Sequence, residues 1–302
     1  MRIYDDGSAD NTLEIAARFS GRDSRFKIVA GPHLGIVGAL VQAIASTDAP
    51  FLARMDGDDI SHPRRLEETM ALLDDRPGVA VASTLVAGFP DGGVGPGMAR
   101  YIDWLNSRVT ATEIARDIFV ESPICHPSVI MRRDAYDQVG GYVDDGGPED
   151  YGLWLRFHGY GFQMAKHPAV RFFWRDSRHR LSRTDTRYGR DRFVTAKTAA
   201  LEELFLGSAR TIVIWGAGKI GRMFSRSLAT RGFPPAAFID VDPKKVGRTV
   251  HGVPVVGMPS CKADVPGDLI LSAVGSEGAR EKIRAHLTQL GLREHCHFVS
   301  VA

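Results

Sequence analysis

Asp56, Asp58 and Asp59 fall within four residues, directly after the apolar run Phe51-Leu52-Ala53-Arg54-Met55. The run reads as a buried strand, so three carboxylates arrive together at a strand's C-terminal end, where ligands bind in open α/β sheets. Held this closely they repel one another unless a cation or a hydrogen-bond network compensates. Hard oxygen ligands suit Mg²⁺ or Mn²⁺, and such a metal completes its shell with phosphate oxygens and water. That points to a nucleoside diphosphate as the remaining ligand. The competing reading is a solvated acidic turn in which Asp58 or Asp59 caps the following helix.

Two further acidic features keep this cluster company. Asp5-Asp6-Gly7-Ser8 follows the strand end Arg2-Ile3-Tyr4, and Glu149-Asp150 immediately precede a helix expected over residues 151–158. A carboxylate there could accept a proton as a general base, or it could simply cap the helix. A second kind of chemistry is suggested further along. Gly216-x-Gly218-x-x-Gly221 follows the apolar strand Ile212-Val213-Ile214-Trp215 and opens a helix, and Asp240 ends the next strand. This is the context a dinucleotide fingerprint requires.

The elements positioning these residues alternate between strand and helix. Strands are expected over residues 26–29, 51–55, 79–86 and 129–131, and helices over 35–45, 63–73, 100–106, 112–119 and 133–139. Residues 88–97 form a glycine-rich loop, residues 175–192 are polar and loop-like, and residues 193–205 read as an amphipathic helix. After residue 211 the pattern restarts with strands at 212–215, 237–239 and 269–274. The 302 residues therefore divide into two α/β domains, 1–206 and 207–302, the second small and Rossmann-like.

Bulk composition excludes several classes. Thirty-eight basic against 36 acidic residues, a formal net charge of +2, give no field that would draw in nucleic acid. No apolar run approaches the roughly 18 to 20 residues that span a bilayer. The three cysteines, Cys125, Cys261 and Cys296, are far apart and contain no C-x-x-C pair, as expected for free thiols in the cytosol. The expected location is cytoplasmic or peripheral at the inner face of the membrane.

Up to about Arg192 the chain resembles the family 2 glycosyltransferases in ordered blocks: Tyr-Asp-Asp-Gly-Ser-Ala-Asp-Asn-Thr at 4–12, Met-Asp-Gly-Asp-Asp-Ile at 55–60 with Pro63 and Arg65-Leu66-Glu67, His126-Pro127-Ser128, Arg132-Arg133, Gly140-Gly141-Tyr142, and Glu149-Asp150-Tyr151-Gly152-Leu153-Trp154-Leu155-Arg156. The resemblance implies an inverting GT-A enzyme that moves a sugar from a nucleotide-diphosphate donor to an acceptor hydroxyl on a glycan, a lipid-linked glycan or a protein. Carried over by position, Asp5 and Asp6 contact the nucleoside. Asp56 and Asp58 hold the donor, Asp58 and Asp59 the Mg or Mn ion, and Asp150 is the base with Glu149 beside it. Trp174-Arg175 and Leu181-Ser182-Arg183 resemble the segment closing over the donor diphosphate, which makes Arg175, His179 and Arg183 donor contacts. His126 is open between a loop histidine and a catalytic one.

Family members begin with a further strand, helix and polar loop before the D-D-G-S turn, whereas Met1 falls just before it here. Either the start lies upstream or the GT-A domain lacks its first strand-helix unit, with an unpaired strand, exposed apolar surface and weak or no turnover as the expectation. The C-terminal part resembles Rossmann-type tails on some of these transferases. Its Gly216, Gly218, Gly221 and Asp240 leave NAD binding, binding of another nucleotide, and a purely structural or homo-oligomer-forming role all open. Three functions therefore compete: the transferase, a nonenzymatic nucleotide-sugar or dinucleotide binder, and an NAD-dependent oxidoreductase.

Overall fold

The structure is a computed structural model that describes residues 1–89, 94–177, 180–207, 211–260 and 262–302. His179, Cys261 and the centre of the 88–97 loop, on which expectations were placed, lie outside the described residues.

The N-terminal part runs β1 (Arg2–Asp5), α1 (Thr12–Arg22), β2 (Lys27–Ala30), α2 (Gly35–Ala45), β3 (Phe51–Ala53), β4 (Ile60–Ser61), α3 (Arg65–Asp75), β5 (Val79–Phe89), α4 (Pro96–Asn106), α5 (Ala111–Asp117), β6 (Ile130–Arg132), α6 (Arg133–Gln138), α7 (Glu149–Gly159), β7 (Gln163–Arg175), α8 (Leu181–Thr184) and α9 (Arg190–Leu201). Five strands form one mixed sheet in the order β3-β6-β5-β7-β4. Strands β1 and β2 pair only with each other, in parallel. Helix α2 is apolar at most positions yet buries only Val37, with Leu34 and Val41 exposed, and Leu13, Ile15 and Phe19 are exposed on α1.

The longest strand, β7, is not expected from the sequence. Pro168 lies within it, and proline cannot donate to a ladder, so such a segment reads as edge or loop. The pairing with β5 resolves this by slipping: His167 stands opposite Thr84, but Val170 is next opposite Leu85. A bulge thus carries the proline past the ladder. Strand β5 likewise runs three residues beyond its expected end, to Phe89. Helix α5 begins in a capping box, with Thr110 accepting from the Glu113 amide while the Glu113 carboxylate accepts from the Thr110 amide.

The C-terminal part runs β8 (Ile212–Trp215), α10 (Lys219–Thr230), β9 (Ala237–Ile239), β10 (Thr249–Val250), β11 (Val253–Val256), β12 (Leu269–Ser272), α11 (Ala279–Gln289) and β13 (Phe298–Ser300). Its sheet has the order β10-β11-β9-β8-β12-β13, parallel except for the β10 edge. Strand order therefore reverses between β8 and β12, a topological switch point.

Helix α9 departs from its expected form. It starts three residues earlier, passes into a π turn over Glu202–Leu206, and is not amphipathic in the simple sense, because it is packed on two sides, against α7 and against α10. One apolar core runs through both parts, from Val37 and Trp154 to Phe224 and Val301. Polar ties cross the same junction. The Lys197 ammonium donates to the carbonyls of Val120 (2.8 Å) and Val301 (3.1 Å), and Arg284 reaches Asp117 at 2.8 Å. Among the described residues no helix is long and apolar enough to cross a membrane.

Candidate active site

Strand β3 ends in a tight turn that presents Asp56, Asp58 and Asp59, with one oxygen of each carboxylate lying within 4.8 Å of the others. The turn is held from behind. The buried Arg65 guanidinium, stacked on Phe172, donates to the carbonyls of Arg54 and Pro127, so it bolts the end of β3 to the His126 loop. Arg175 fixes the other side: its backbone N–H donates to Asp59 Oδ1 at 2.7 Å and its Nε to the Asp58 carbonyl at 2.7 Å. Arg54 is buried against Asp56 as an ion pair. Asp59 Oδ2 is buried with no hydrogen-bond partner, and burial together with the charges of Asp56 and Asp58 pushes this carboxyl up to about 7. An orphaned oxygen in a repelling cluster is what a divalent cation would relieve, so the residues fit a metal.

Glu149 and Asp150, which line the same cavity as the cluster, form the first turn of α7 rather than preceding it. Tyr188 donates to Glu149 Oε2 at 2.8 Å, His126 Nδ1 lies 3.6 Å from Oε1, and His126 Nε2 meets the Tyr142 hydroxyl at 2.5 Å. Burial, with the Arg54 charge, disfavours the charged form of the His126 ring. Burial opposes ionisation of Glu149 as well, but the hydrogen bonds from His126 and Tyr188 outweigh it and hold Glu149 below the usual range. Asp150 is different: burial, then the neighbouring Glu149 charge, raise it to about 7. Adjacent carboxyls pushed apart in this way resemble an acid–base pair.

Asp56, Asp58, Asp59, His126, Glu149, Asp150, Arg175 and Arg183 all line one cavity of about 1720 Å³. Gly216, Gly218 and Asp240 line it too, so the two glycine- and aspartate-marked sites of the sequence face the same space. Asp5 and Asp6 are not brought to it. Asp6 instead accepts from the backbone N–H groups of Leu34 (2.6 Å) and Gly35 (3.0 Å) at the start of α2, and Asp5 is buried and accepts from Ser8. Arg183 is tied to Asp176 at 2.6 Å, and the Arg180 guanidinium lies 4.1 Å over Trp174. Arg54, Tyr142 and Tyr188 were not singled out for chemistry from the sequence. Only the position of Arg54, two residues before the first aspartate, offered a signal.

In the glycine loop, Gly216 adopts φ +110°, and a Cβ on Gly221 would lie 1.8 Å from the Gly216 carbonyl oxygen. A Cβ on Gly218 would meet nothing within 4 Å. The first and third glycines are thus required by the turn and by its packing. The Asp240 carboxylate accepts from the N–H groups of Ala217 and Asp242 and from Lys245, each at 2.9 Å.

Residues 2–140 match the model of glycosyl transferase family 2, and residues 208–289 match that of a CoA binding domain. Over residues 2–140 the chain is similar to glycosyl transferase family 2. The chain is 30% identical over 167 residues to the putative glycosyltransferase EpsE of Bacillus subtilis (strain 168), which is 53% of this chain and 56% of that protein. It is 27% identical over 168 residues to the amylovoran biosynthesis glycosyltransferase AmsE of Erwinia amylovora, 56% of this chain and 60% of that one. The chain therefore spans somewhat more than half the length of these curated relatives. Among solved structures, S. aureus TarS 1-349 in complex with UDP-GlcNAc superposes with a TM-score of 0.51 at 14% identity, covering 67% of this chain and 57% of that chain. That likeness shows the fold, a GT-A transferase domain, which here is followed by a Rossmann-like domain.

Proposed function

We propose that this chain is a glycosyltransferase that moves a sugar from a nucleotide-diphosphate donor to an acceptor hydroxyl with inversion at the anomeric carbon. The observation that carries this reading is the shared cavity, lined by both the aspartate cluster and Asp150. Asp58 and Asp59 would hold a divalent metal, which supplies charge neutralisation for the departing diphosphate. Asp56 is kept in place by Arg54, and Arg175 braces the turn. Asp150, raised to about 7, takes the proton from the attacking hydroxyl while ionised Glu149 and its partners fix its orientation. Asp5 and Asp6 are assigned to the nucleoside end, Arg183 and His179 to the closing segment, and the boundary between the domains to 206/207. The same reading places the protein in the cytoplasm or at the inner face of the membrane.

The oxidoreductase reading is weakened by Asp240, whose carboxylate is already engaged by Ala217, Asp242 and Lys245 rather than left for a ribose. Titration calorimetry with UDP and with GDP, with and without Mn²⁺, tests the donor site. One of the two nucleotides should bind only with metal, and Asp58→Ala should weaken that binding at least tenfold. Equal binding by Asp58→Ala would remove the cluster from the site.

A further inference from the structure

The crevice at the switch point between β8 and β12 opens into the same cavity as Asp58 and Asp150, and the proposed transfer makes no use of it. Such crevices are where open parallel sheets bind ligands. The cavity is also larger than the roughly 300 to 1,000 Å³ that accommodates a single small ligand, at about 1720 Å³. There is room for a donor and a second ligand at once.

Charges in the cavity lining indicate what the second ligand is. Arg100 on α4, Arg190 at the start of α9 and Lys219 at the start of α10 all line the cavity, and each comes from a different element. All three are exposed, and among the described residues none of their side chains makes a hydrogen bond or ion pair. Other cations in the lining are already engaged: Arg183 with Asp176 and Lys245 with Asp240. Three unpaired like charges around one space suit a multiply charged anion, whereas a single carboxylate would leave most of that charge uncompensated. The wall is also fixed in place, since Lys197 and Arg284 lock the two domains together.

We propose that this wall of the C-terminal domain, with Arg100 and Arg190, holds a phosphorylated acceptor, a phosphate or diphosphate ester whose sugar hydroxyl is presented to Asp150. The acceptor role rests on the transfer reading of the aspartate cluster. On this view the Rossmann-like domain is a substrate-binding part of the transferase rather than a separate nucleotide enzyme.

Inorganic pyrophosphate in EDTA is the first probe, because without metal the aspartate cluster repels anions. The full chain should bind it, and Lys219→Glu combined with Arg190→Glu should weaken binding at least tenfold, with Lys219→Met intermediate. Asp58→Ala should not weaken it. No pyrophosphate binding, or binding lost in Asp58→Ala and retained in the charge-reversed variant, would overturn the proposal. If pyrophosphate binds while neither UDP nor GDP binds with Mn²⁺, the transfer reading fails and the acceptor role fails with it. If pyrophosphate alone fails, only the anionic wall is lost. Phosphatidylcholine vesicles with and without a polyprenyl diphosphate distinguish the sources. Capture that depends on the diphosphate assigns a lipid-linked acceptor, and its absence alongside pyrophosphate binding assigns a soluble sugar phosphate.

Discussion

At the scale of single residues, the site depends on two neighbouring carboxyls having different protonation. Asp150 must lose its proton to act as a base, so turnover should rise with pH through an apparent value near 7 and level off above it. Asp150→Asn should lower kcat by roughly 10²-fold or more and abolish that limb. Glu149→Gln removes a negative charge that raises Asp150, so the limb should move to lower pH with kcat only partly reduced. A pH profile of kcat for the three proteins checks this, and an unmoved limb in Glu149→Gln would detach the pair. The aspartates and Glu149-Asp150 were legible in the sequence because their spacing at strand and helix ends is itself the signal. Tyr188 was not, since a tyrosine in a polar stretch carries no mark of the carboxylate 39 residues away that it contacts.

At the scale of elements, the strands with regular apolar runs, such as β8 and β12, were readable, while β7 was concealed by the proline that its bulge accommodates. Short edge pieces, β4 and β10, have two residues each and no periodicity to read. Helix α9 was misread as one-sided because its second apolar face is explained only by a partner far along the chain. The glycine loop gives a direct test of what its sequence pattern means. Gly221→Ala forces a methyl onto the Gly216 carbonyl and should cost about 2 kcal/mol or more. Gly218→Ala has open space and a φ of −81°, so it should change stability by less than about 0.5 kcal/mol. Urea unfolding monitored by tryptophan fluorescence measures both, and equal losses would contradict the packing account.

At the scale of the whole molecule, the two domains share a buried charge network. The Asp117 side chain is fully buried among Arg108, Arg116 and Arg284, the last from the C-terminal domain. Burial opposes its charge, yet the arginines win and bring it down to about 2. A carboxyl held below its unfolded value adds stability that is fully present above about pH 4 and is lost as pH falls toward 2. Asp117→Asn should therefore cost about 3 to 5 kcal/mol at neutral pH, because Arg108 and Arg116 lose their counter-charge and Arg284 keeps only Glu294. The variant should also lose less stability than the parent on acidification over that window. Thermal unfolding from pH 7 to pH 3 measures both, and parallel curves would exclude Asp117 as the linked group. Neither domain's sequence foretold this network, in which Asp117 pairs with an arginine 167 residues away.

The Lys197 tie has a consequence for the order in which the chain is completed. Its ammonium is buried in the junction, yet one of its two carbonyl acceptors belongs to Val301, 104 residues later. As domains form in turn during synthesis, α9 is made well before that acceptor emerges from the ribosome. Until then the amine has only the Val120 carbonyl of its two acceptors. The transferase half is thus tied down by a residue translated 104 positions after Lys197, and a ribosome stalled between the two would carry a junction lacking that bond.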